Sequence, residues 1–216
     1  MNVSIGIDVG IKNFAMCVTL SYGEKREIGL WLVESVVKRH SNCNFITEKN
    51  LAKYFHEFLT YKCEHIRQII KSYETKWKVS VDKMSINIEN QAISQSKIKT
   101  SAKYIFYHLT FEFPQANVKY VPAYKKLEIA ENILGNMKWK DVENLVCGTS
   151  DKNTQYRRGV RKTTYIERKK LASKCIQEVI TKMFGEQNYQ EYKVLYGDFE
   201  KSPDMCESLL YSLCAF

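Results

Sequence analysis

The sequence predicts an α/β fold, a mixed five-stranded sheet flanked by helices. Three observations predict it. Near the N-terminus, three apolar runs are joined by short connections, the pattern of an antiparallel meander. Further along, two more strand-like runs alternate with segments of helical periodicity, which places helices on the faces of the sheet. The chain has 216 residues, 44% hydrophobic and 26% charged. That is ordinary globular usage, and the length is enough to enclose a core. One domain spanning 1–216 is expected, with a basic insertion at about 138–170 before the C-terminal helix.

The elements follow in order. Val3–Val9 is apolar, partly alternating and closed by Gly10, so it reads as a buried strand. Phe14–Leu20 is the second run, Ser21–Lys25 a turn, and Ile28–Val33 the third run. Leu51, Tyr54, Phe55, Phe58 and Leu59 recur at helical spacing, and Ile66, Ile69 and Ile70 continue the stripe. Met84–Glu89 is a strand in which Met84, Ile86 and Ile88 alternate with Ser85, Asn87 and Glu89. A helix is expected from Ser96 to Phe111. Asn117–Val121 is a strand ended by Pro122, and Tyr124–Leu134 a helix with Gly135 just past its end. Another helix is expected from about Ile166 to Phe184. A final short one can be capped by Ser202 and started by Pro203.

Charge points to the class of partner. Lys plus Arg number 33 against 24 Asp plus Glu, a formal net charge of +9. Residues 138–170 hold ten basic and four acidic residues, so +6 of that surplus lies in 33 residues. A surplus of this size favours a polyanion, most often nucleic acid. The seven cysteines are odd in number and form no CxxC, and MNVSIGIDVG has neither a basic n-region nor a long apolar h-region. An intracellular, reducing compartment and no membrane span are therefore expected. His40 with Cys43, and Cys63 with His65, lack the partner spacing of a zinc site and read as core and surface residues.

Four acids stand out by position. Asp8 ends the first strand, Glu89 ends the fourth, and Asp204 and Glu207 lie three apart at the start of the last helix, on one face. Singly, each has an ordinary explanation as a turn, cap or surface residue. Together they fall at element ends, where open sheets place sites. Converging carboxylates repel one another, and a divalent cation removes the conflict. All-oxygen ligands select Mg²⁺ or Mn²⁺, and two such ions can drive phosphodiester hydrolysis.

The motifs GIDVGIKN, IENQ and KSPDMCESLL resemble those of the RuvC-like Holliday junction resolvases, nearest the poxvirus type and related to the yeast mitochondrial cruciform-cutting enzymes. The resemblance implies an RNase H-like fold, a Mg²⁺-dependent homodimer acting on four-way DNA junctions, and two ions per site, with Mn²⁺ able to substitute. It extends over most of the chain but not over 138–170. It implies metal-ligand and catalytic roles for Asp8, Glu89, Asp204 and Glu207; the last is usually Asp in the family. Where the family often has another acid before Asp204, this chain has Pro203. A basic residue near the site is also implied, and VPAYKK offers Lys125 and Lys126 for stabilising transition-state charge, with Lys125 slightly preferred. The missing targeting segment leans towards a viral enzyme, in the host cytoplasm if poxviral. Lys97, Lys99 and Lys103 after Glu89, and Arg157, Arg158, Arg161 and Lys162 in the insertion, are suited to phosphate contacts.

Two other functions compete. An actin-like ATPase or kinase also carries a GIDxG-type loop, but 216 residues are few for its paired domains and no second Gly-rich nucleotide loop occurs. A non-catalytic branched-DNA-binding module would have no need of all four acids.

Overall fold

A computed structural model of the chain describes residues 1–37, 46–90, 96–135 and 165–215. Most of the 138–170 insertion, together with His40, Cys43 and Cys147, lies outside the described residues.

Strands β1 (Asn2–Asp8), β2 (Phe14–Tyr22), β3 (Lys25–Glu34), β4 (Lys83–Asn90) and β5 (Asn117–Pro122) form one sheet in the order β3-β2-β1-β4-β5. The first three make the expected antiparallel meander, while β4 runs parallel to both β1 and β5. This is the mixed five-stranded α/β sheet that the sequence predicts. Tyr22 pairs with Lys25 across a two-residue turn, where Gly23 takes φ +58°, a conformation costly for any residue with a β-carbon.

The two-residue period of each strand sorts its side chains between two cores. Val3, Ile5 and Ile7 of β1, Phe14, Met16 and Val18 of β2, and Met84, Ile86 and Ile88 of β4 enter one core. Helices α1 (Glu48–Trp77) and α2 (Ser96–Glu112) cover it, α1 presenting Leu51, Phe55, Leu59, Cys63 and Ile66. Thr47 starts α1 by accepting a hydrogen bond from the Asn50 N–H. The opposite face carries α3 (Lys125–Leu134), α4 (Tyr165–Phe184), α5 (Glu186–Tyr196) and α6 (Pro203–Ser212), packed on Cys17, Ile28 and Trp31.

Two local expectations are corrected. Helix α5 was not anticipated, because the apolar residues of EQNYQEYKVLY do not share one face: Tyr189 and Tyr192 are buried while Val194 and Leu195 are exposed. Ser202 precedes α6 without a side-chain cap bond; its carbonyl oxygen accepts from the Cys206 N–H at 3.1 Å instead, and Pro203 occupies the first turn. Cys17, Cys63, Cys175 and Cys206 are buried free thiols, and burial pushes Cys63, Cys175 and Cys206 up to about 12. Among the described residues no helix is long and apolar enough to cross a membrane.

Candidate metal centre

The sheet itself brings the first two acids together. β1 and β4 are parallel neighbours with Ile7 opposite Ile88, so Asp8 and Glu89 are the next residues in register. Since Ile7 and Ile88 enter the α1–α2 core, Asp8 and Glu89 turn to the opposite face, towards α6. The third acid arrives on α6, which crosses β1 at Gly6. A β-carbon built on Gly6 would overlap the Ser208 carbonyl oxygen and the Ser212 nitrogen, so only glycine lets the helix lie this close. Two bonds from the sheet fix the helix in place. The Trp31 Nε1–H donates to the Met205 carbonyl oxygen at 2.8 Å, and Asn87 Nδ2 donates to the Tyr211 carbonyl oxygen at 2.9 Å.

The result is a group of three buried carboxylates, Asp8, Glu89 and Glu207, each with an oxygen within 4.8 Å of the others. At about 5 Å and an effective dielectric near 20, each pair repels by about 3 kcal/mol. One buried cation offsets part of this. Lys126 Nζ lies 2.7 Å from Glu207 Oε1 and 3.7 Å from Glu89 Oε1, and the lysine side chain is 1% exposed. The Tyr211 hydroxyl donates to Glu89 Oε1 at 3.1 Å. Burial first, then the charges of Glu89, Glu207 and Asp8, push the Tyr211 phenol far above its ordinary range, so it stays a donor.

Of the four acids expected at one point, Asp204 falls outside the three-carboxylate group. It is half-buried in the first turn of α6, three residues before Glu207. The two lysines are separated by the face of α3 on which they lie. Lys126 shares the buried side with Ile129 and Ala130, whereas Lys125 is exposed and pairs with Glu128 at 2.6 Å. The slight preference for Lys125 as the basic residue near the acids is therefore corrected to Lys126. The i, i+3, i+4 stripe 126-129-130 was the signal that distinguishes them. Lys97, at the start of α2, donates to the Ile46 carbonyl oxygen at 3.2 Å, while Lys99 and Lys103 are exposed on the same helix. Arg157, Arg158, Arg161 and Lys162 lie outside the described residues. Sequence reasoning missed Gly6, Asn87 and Tyr211. Tyr211 could have been found at four residues past Glu207, on one helix face.

No family model and no curated protein matches this chain. A solved structure of Thermus thermophilus RuvC is similar at 10% identity and a TM-score of 0.39, over 88% of this chain and 95% of that chain.

Proposed function

We propose that this protein is a divalent-metal-dependent endonuclease that resolves four-way DNA junctions, a RuvC-like resolvase of the poxvirus type acting as a homodimer. The observation that carries the reading is the convergence of Asp8, Glu89 and Glu207 around a buried lysine. Among the described residues, three buried carboxylates lie beside one buried ammonium, and every donor of the group is oxygen. That charge and donor set suit Mg²⁺ or Mn²⁺. Asp8, Glu89 and Glu207 would hold an ion, and Asp204, at the rim of the same helix, would help to hold a second. A bound divalent ion supplies Lewis-acid activation of water and of the phosphodiester.

The chain's own groups do the rest. The Lys126 ammonium, oriented by Glu207, stabilises negative charge that develops on the phosphate. Lys125, on the solvent face of α3, adds only surface charge. Lys97, Lys99, Lys103, Arg157, Arg158, Arg161 and Lys162 grip phosphates, so that branched DNA is read by shape rather than by base edges. Two copies related by a two-fold axis match the symmetry of a junction and of a paired cut.

The test is incubation of the protein with a labelled four-way junction, and with a matching linear duplex, in Mg²⁺ and in chelator. Symmetric cutting of the junction in Mg²⁺ alone is expected. Asp8→Asn should lose cutting and keep junction binding, because the affinity comes from positive charge elsewhere. Full cutting by that variant sinks the reading, and binding of junctions without any cutting by the wild type points to a non-catalytic module.

A further inference from the structure

We infer that Tyr211 is a positioning residue of the three-carboxylate centre, tying Glu89 to the helix that carries Glu207 and thereby setting the centre's affinity for a divalent ion. This rests on the reading of Asp8, Glu89 and Glu207 as metal ligands. Three contacts carry it, joining α6 to β4 and to α3. The Tyr211 hydroxyl donates to Glu89 Oε1 at 3.1 Å. Its carbonyl oxygen accepts from Asn87 Nδ2 at 2.9 Å, two residues before Glu89 on the same strand and the same face. Its ring centroid lies 5.5 Å from Lys126 Nζ, the ammonium paired with Glu207. One residue is thus held by β4 at both its main chain and its side chain, and it sits four residues from Glu207 on one face of α6.

The consequence is geometric. Glu89 and Glu207 come from different elements, one a strand and one a helix, and each side chain has several rotamers. A carboxylate held by an outer hydrogen bond presents its oxygens in one orientation to an incoming cation, and the ordering is done before the cation arrives. A tyrosine serving only to fill space would need its ring but not its hydroxyl.

Tyr211→Phe separates the two roles, since it keeps the ring and removes only the donor. Mn²⁺ binding by the full chain is measured from the free-ion electron paramagnetic resonance signal without DNA, beside thermal unfolding. The expected result is binding weakened by about 10-fold or more, as for other outer-shell ligands, with cooperative unfolding retained. Junction cutting should recover towards the wild-type rate as Mn²⁺ is raised, because the loss is in ion binding rather than in turnover. Equal Mn²⁺ affinity in the two proteins overturns the inference and leaves the metal-centre reading standing. Failure of the wild type to bind Mn²⁺ overturns both. Should the phenylalanine variant not fold, 3-fluorotyrosine at position 211 keeps ring and hydroxyl. Its fluorine resonance should move as Mg²⁺ is titrated, and a resonance that stays fixed while Mg²⁺ binds overturns the inference.

Discussion

A lysine ammonium 2.7 Å from Glu207 Oε1, on a side chain 1% exposed, is held among the carboxylates and the Tyr211 ring against a large desolvation cost. Removing it leaves three carboxylates close together without this ammonium. Lys126→Ala should therefore cost about 3–5 kcal/mol of stability in chelator, the range for breaking a buried ion pair, and Mg²⁺ should restore part of that loss. Single-turnover cutting at saturating junction should slow in this variant. Lys125→Ala, which removes only an exposed pair with Glu128, should change neither quantity. Denaturant unfolding with and without Mg²⁺ decides the stability half, and equal behaviour of the two variants would refute the assignment. The sequence already singled out Asp8, Glu89, Asp204 and Glu207, because each acid falls at one end of a strand or helix. It left Lys125 and Lys126 together because both open the same helix, and only the buried stripe through Ile129 and Ala130 tells them apart.

Among the elements, α6 matters most, since it lies on β1 and β2 and delivers both Glu207 and Tyr211 to the ends of β1 and β4. Its closeness depends on a single missing β-carbon. Gly6→Ala would drive a methyl group into the Ser208 carbonyl oxygen and the Ser212 nitrogen, backbone atoms that cannot rotate away. Overpacking of this kind costs about 1–3 kcal/mol or more, and the helix must lift from the strand to accept it. The expected outcome is a lower unfolding midpoint together with weaker Mn²⁺ binding, since lifting α6 carries Glu207 away from Asp8 and Glu89. A variant that is less stable but binds Mn²⁺ normally would show that the helix can shift without disturbing the centre. Strand assignments were legible at this scale because Met84, Ile86 and Ile88 alternate with Ser85, Asn87 and Glu89, and the structure places those two sets on opposite faces of β4. The close crossing at Gly6 was not legible, because the contact joins residues some 200 positions apart in sequence and no local pattern encodes it. Helix α5 escaped for the opposite reason: its local pattern points Val194 and Leu195 outward.

Over the whole molecule, charge is divided between an acidic centre and a basic surplus. Among the described residues the centre holds three buried carboxylates and one lysine, and carboxylates so placed repel a phosphodiester until a cation is present. The chain nonetheless carries +9, and +6 of it lies in residues 138–170, so under the proposed function affinity for DNA and chemistry on DNA should be separable properties of different regions. That segment's charge was legible in composition, and most of the segment lies outside the described residues. Each phosphate neutralised by a lysine or arginine releases condensed counter-ions, so log affinity falls with log salt by about 0.9 per duplex phosphate contact. Replacing Arg157, Arg158, Arg161 and Lys162 together with Ala should weaken junction binding and flatten the salt slope by up to about 3.6 if each makes one such contact. The three carboxylates are untouched by these changes, so cutting at saturating protein should persist in Mg²⁺. Fluorescence anisotropy of a labelled junction across a salt series measures the slope directly. An unchanged slope would mean that these four residues only keep the protein soluble, and the phosphate contacts would then fall to Lys97, Lys99 and Lys103 on α2.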